Sequence, residues 1–167
     1  MKNFFYVISA IILLVIVSNY MTNKNLIPKD AIRIRVIANS NSKEDQNLKY
    51  EVKDDLENYL YNKLDKVKNI DLADNIINDS LDDINLIVKK YTNDYKINYG
   101  MNYFPKKEYK SITYDEGEYK SLVVTLGNGL GDNWWCVLFP PLCLIDAKES
   151  TDVEYHSYVV DLINRYK

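Results

Sequence analysis

Hydrophobic and polar positions change period several times along the chain, and each change marks an element. Phe4 to Val17 is an unbroken apolar run, FFYVISAIILLVIV, with Lys2 before it. At roughly 14 residues it has the length of a signal-peptide core and falls short of the ~20 that cross a bilayer comfortably. Ser18 to Met21 extends it as an interfacial end, which keeps a tilted anchor open. No clear A-x-A cleavage site follows. Residues 1–21 therefore read as a signal peptide or a retained N-terminal membrane anchor, and polar residues 22–30, with Pro28, as a linker. Either way the chain is expected to be exported.

The pattern then alternates. From Ala31 to Ala38, Ile32, Ile34 and Val36 fall on one face and Arg33 and Arg35 on the other. That is a strand with one buried face, its arginines expected in solvent or beside acidic neighbours. Next, Leu48, Val52, Leu56, Leu60 and Leu64 recur every fourth residue, which predicts a helix to about Lys66. Ser42 and Asp45 resemble a capping box at its start, with Asp where Glu is usual. The preceding Asn39 to Ser42 is a strand-to-helix turn, or else a polar pocket at a helix N-terminus that suits an anion. A second helical stripe runs from about Leu72 to Tyr91, with Asp71 as its N-cap.

Period two returns from Tyr95 to Tyr103. Tyr109 to Tyr114 reads as a short strand antiparallel to it, and Tyr119 to Leu126 as a third. Trp134 to Phe139 follows, ended by Pro140 and Pro141, because proline donates nothing to a ladder. The class is α+β: a mostly antiparallel sheet of about four to five strands with two helices packed on one face. Residues 31–146 form the single domain, and 147–167 a partly helical tail.

Composition narrows the function. A net charge of −3 gives no reason to expect nucleic acid. The turn Gly127 to Asp132, GNGLGD, lacks the Lys-Ser/Thr of a phosphate loop and no helix pattern follows it, so it reads as a positioning turn. Cys136 and Cys143 flank the Pro-Pro break. In an exported chain they form one disulfide, or else they are two reduced, buried thiols. With two cysteines and His156 alone in the tail, no zinc site is expected, and neither cysteine has the features of an activated thiol. Asp74, Asp79, Asp82 and Asp83 are too irregular for a calcium loop. Glu116 and Glu118 flank a turn glycine and need no catalytic explanation. No catalytic residue, metal, cofactor or small-molecule substrate is expected.

Two segments resemble the stage II sporulation protein R family. The first is IRIRVIANSNSKEDQNLKYEVKD, a strand, an Asn/Ser turn and an acidic-Asp-Gln run into a helix. The second, GEYKSLVVTLGNGLGDNWWCVLFPPLCLID, is the more specific. It matches at Gly117, Tyr119, Leu122, Gly127, Gly129, Gly131 and the whole of Asn133 to Asp146. The resemblance implies a non-enzymatic signalling protein of endospore formation, exported from the forespore into the space between two membranes. There it activates the membrane-embedded aspartic protease that processes the pro-form of sigma factor E in the mother cell. Membrane contact runs through the N-terminal segment if it is uncleaved.

The residues expected to contact that protease are Asn39, Ser40, Asn133, Trp134, Trp135, Phe139, Pro140 and Pro141. Aromatic residues are enriched at interface hot spots and at membrane surfaces. The competing reading makes this stretch plain core, with one tryptophan inside and the other available. An exported envelope or cell-wall hydrolase is the alternative function.

Overall fold

The computed structural model describes Tyr6 and residues 11–13, 30–109 and 112–141. The remainder of the N-terminal run, Cys143 and the tail lie outside the described residues. Among the described residues six strands appear in chain order: β1 (Ile32–Ile37), β2 (Tyr95–Phe104), β3 (Lys107–Tyr109), β4 (Ile112–Tyr114), β5 (Gly117–Leu126) and β6 (Asn133–Phe139). Four of them make one sheet in the order β2-β5-β1-β6. β1 runs parallel to β5 and antiparallel to β6, and β2 is antiparallel to β5. The α+β class and the mostly antiparallel sheet hold, with the β1–β5 pair as the parallel exception. A parallel pair needs a long crossover, and the helices between β1 and β2 supply it.

The strand predicted at Tyr109 to Tyr114 does not join this sheet. Ile112–Tyr114 instead folds back on Lys107–Tyr109 as a separate pair. β2 pairs with β5 over ten residues, from Tyr95 opposite Leu126 to Phe104 opposite Gly117. The longer ladder also brings Leu122, Val124 and Leu126 into the core, which a three-residue strand cannot match.

Among residues 30–141 the helices are α1 (Lys43–Leu64), α2 (Ile70–Asp79) and α3 (Leu81–Lys89). The single stripe from Leu72 to Tyr91 is thus two helices. Ser80 separates them at φ −90° and ψ 0°, its N–H shared by the carbonyls of Ile76 and Ile77 at 3.1 Å each. The break lets Ala73 and Ile77 of α2, and Ile84, Ile87 and Val88 of α3, all reach the same core. Asn69, not Asp71, caps α2, accepting from the Asp71 and Leu72 N–H groups at 2.7 and 3.1 Å. Asn ranks among the best N-caps, and here it starts the helix earlier than the apolar stripe indicates.

These helices of residues 43–89 cover one face of the sheet. Val52, Leu56, Leu60 and Leu64 of α1 pack there against Ile32, Ile34 and Val36 of β1 and Leu122, Val124 and Leu126 of β5. Each wholly buried leucine contributes about 2 kcal/mol. The double tryptophan divides across the sheet. Trp134 lies opposite Val36 on the helix side and packs against the core, under the Lys53 ammonium at 5.2 Å from its ring centroid. Trp135, opposite Arg35, faces the other way.

Candidate functional site

The two segments that carry the family resemblance meet at one end of the sheet, where β1 leaves for α1 and β5 turns into β6. Asn39 lies at the centre. Its side-chain oxygen accepts the Asn128 N–H at 3.0 Å and its carbonyl accepts the Leu130 N–H at 3.0 Å. Gly131 N–H reaches the Ala38 carbonyl at 2.9 Å, and Asp132 N–H reaches Asn41 Oδ1 at 2.6 Å. Backbone donors of a turn are obligatory hydrogen-bonding groups, and here the opposite turn satisfies them.

Asp45 ties this junction to α1. Its carboxylate accepts from Asn39 Nδ2 at 2.9 Å and from the Ser40 hydroxyl at 2.5 Å. Ser42 caps the helix through the Asp45 N–H at 3.1 Å, while its own N–H donates to Ser40 Oγ. Only half of the predicted capping box therefore forms. Aspartate, a methylene shorter than glutamate, binds the nearer Asn39 and Ser40 instead of reaching back to Ser42. The polar pocket considered for an outside anion holds this carboxylate of the chain itself. Gln46 Nε2 donates to the Ser40 carbonyl at 2.9 Å, and buried Lys49 bridges Gln46 Oε1 and the Asp132 carbonyl at 2.6 and 3.2 Å. Lys49 does not stand out in the sequence, where it reads as an ordinary polar position of a solvated helix face, and Gln46 stands out only as the Gln of the acidic-Asp-Gln run.

The hydrogen bonds from Ser40, then Asn39, hold the Asp45 carboxyl below the usual carboxylate range. A carboxyl depressed in the folded state stabilises fully above its unfolded value of about 4 and loses that contribution as pH falls through its folded value. Acid titration of stability should therefore steepen below about pH 4 and become shallower in Asp45→Asn. Urea midpoints between pH 2 and pH 6 read this directly, and identical profiles would dissociate Asp45 from the junction.

What the junction presents is Leu130, 80% exposed between two glycines. Tyr50 on α1 and Asn133 are exposed as well. Leu130 escaped the sequence reading, although an apolar residue in a glycine turn with no periodic partner is a recognisable signal.

The second face of the sheet departs most from expectation. Arg33 is buried, Arg35 is half-buried, and both guanidinium groups lie against aromatic rings. Arg33 is 2% exposed, with its guanidinium 3.3 Å from the Tyr119 ring centroid, 5.1 Å from Phe104 and 5.4 Å from Trp135. Arg35 lies 4.5 Å over Phe104 and donates to the Tyr103 carbonyl at 3.3 Å. Phe104 meets Trp135 and Tyr119 edge to face. β1 lies between β5 and β6, and Tyr119, Trp135 and Phe104 of the other strands close around Arg33 on this second face, where aromatic faces attract cations.

The residues proposed from sequence for partner contact thus divide. Asn39 and Ser40 are spent on internal hydrogen bonds. Phe139, Pro140 and Pro141 are buried, the Phe139–Pro140 peptide being cis. Trp134 and Trp135 are half-buried and Asn133 is exposed. Cys136 is disulfide-bonded; Cys143 lies outside the described residues. Glu116 accepts from the Tyr103 hydroxyl at 3.3 Å. Among the described residues no group of three or more His, Cys, Asp or Glu is placed to hold a metal, and no helix is long and apolar enough to cross a membrane.

A family model described as Stage II sporulation protein R matches residues 28–149. A Bacillus subtilis (strain 168) protein, Stage II sporulation protein R, is 38% identical over 141 residues, covering 77% of this chain. The chain spans 63% of the length of that relative. No solved structure matches it.

Proposed function

The chain belongs to the stage II sporulation protein R family, and on that premise we propose that it is an exported, non-enzymatic signal of endospore formation. It leaves the forespore for the space between the two membranes, held at the membrane if its N-terminal segment is retained. There it activates the membrane-embedded aspartic protease that processes the pro-form of sigma factor E in the mother cell. The observation that carries this reading is the hydrogen-bonded junction of the two family segments. Its polar side chains hold the fold, and it displays one exposed leucine on a fixed turn. Pre-organised apolar anchors suit a contact surface, since little ordering remains to be done on binding. Leu130, Asn133 and the half-buried Trp134 form that surface.

The test is reconstitution. Purified full-length chain in mild detergent is added to membranes that carry the protease and its pro-sigma substrate. Processing should begin on addition and fall about tenfold with Leu130→Asp, the equivalent of about 1.4 kcal/mol of lost contact. The urea midpoint should not move, because Leu130 touches no core. Absence of processing by the native chain would sink the activating role. Full processing by Leu130→Asp would sink this surface alone.

A further inference from the structure

The outer edge of β2 is open: the strand pairs with β5 on one side and with no described strand on the other. It is ten residues long, without a register shift. Chains usually protect such an edge with proline, bulges or several charges. β2, YKINYGMNYF, has none of these except Lys96 near one end. It also carries exposed apolar groups beside the edge, Met101 at 62% and Tyr103 at 54%. Both edge strands are followed by proline outside the ladder, Pro105 after β2 and Pro140 after β6.

We propose that the β2 edge pairs antiparallel with the β2 edge of a second copy of this chain, about a two-fold axis at Gly100, to give one continuous eight-stranded sheet. The sequence of the strand is self-complementary in this register. Tyr99 faces Met101 of the second copy and Ile97 faces its Tyr103, so both exposed apolar groups gain an apolar neighbour on the helix side. Asn98 faces Asn102 on the other side, where within each chain Asn102 Nδ2 already donates to Asn98 Oδ1 at 3.2 Å, so the seam buries no unpaired amide donor there. Lys96 faces Phe104, and the two Lys96 ammonium groups lie at opposite ends of the ladder, so no like charges oppose each other. Directly opposed residues of an antiparallel pair interact most strongly, and an isologous pair makes every such contact twice. The main-chain bonds of an added strand supply the affinity.

Full-length chain in detergent micelles, carrying Gly100→Cys, tests this under mild oxidation. A Cβ at Gly100 meets nothing nearer than Asn98 Oδ1 at 3.6 Å, so the variant fits the native strand. Two cysteines at the axis would stand within disulfide range, whereas Lys96→Cys, facing Phe104, would not. Gly100→Cys should yield a covalent dimer and Lys96→Cys about tenfold less. Adding Met101→Lys and Tyr103→Lys should reduce the Gly100→Cys dimer by about tenfold, with an unchanged far-UV circular dichroism spectrum. Equal cross-linking at positions 96 and 100 would overturn the register. No dimer at any concentration would overturn the pairing and leave the edge to a strand of another protein.

Discussion

Gly131→Ala is expected to lower stability by about 3–4 kcal/mol, read as the shift of the urea unfolding midpoint of the full chain. A Cβ at this position would overlap the Ser40 backbone carbonyl and crowd the Ala38 side chain. A flexible side chain could swing aside, but a carbonyl held by Gln46 cannot. The turn must therefore retreat. Its bonds from Gly131 to Ala38, Leu130 to Asn39, Asn128 to Asn39 and Asp132 to Asn41 then lengthen together. At about 1 kcal/mol net for each, their joint loss gives the magnitude. Gly127→Ala should be damaging as well, since Gly127 has φ +53° and its Cβ would strike the Asn39 side chain. Gly100→Ala, in open surroundings, is the control and should stay within about 0.5 kcal/mol. An unmoved midpoint for Gly131→Ala would mean that the two family segments are not locked together.

This junction marks how far the sequence could be read. Strand and helix periods located β1, α1, β2, β5 and β6 to within a few residues, because burial of one face imposes a period that needs no knowledge of neighbours. Ser42 as N-cap was legible for the same local reason. Pairing was not. That β2 joins β5, and that the YKSITY segment leaves the sheet, depends on which ladder is longer and which buries more, a comparison across the whole chain. The break at Ser80 was hidden because the apolar stripe continues through it. Asn39 is the clearest case at the site. As a turn residue it was recognisable, but its partners at Asn128 and Leu130 are about ninety residues away, and no local pattern announces them. The same limit explains Arg33. Alternation assigned it to the polar face, which is correct, but only the sheet order shows that β1 is interior and that this face is lined with aromatic rings.

Arg33→Ala is expected to cost about 3–4 kcal/mol, a loss of the order found when large buried side chains are truncated. Two effects add. The aliphatic stem is packed along the sheet, so its removal leaves a gap, and the guanidinium gives up its position over Tyr119, Phe104 and Trp135. Arg33→Lys separates them. Lysine retains the charge and most of the stem, but an ammonium is not planar and cannot lie flat on a ring as a guanidinium does. If the 3.3 Å stack on Tyr119 matters, Arg33→Lys should still cost about 1–2 kcal/mol. Its penalty should shrink by about 1 kcal/mol in a Tyr119→Leu background. Trp135 offers an independent readout, since its indole shares Phe104 and Arg33 as neighbours. Its fluorescence should shift in Arg33→Ala even where the folded baseline is intact. A wild-type midpoint for Arg33→Lys would mean that the aromatic residues only fill space around the arginine. A retained penalty that vanishes with Tyr119 would make the cation the clamp that holds β1, β5 and β6 together on the face opposite the helices.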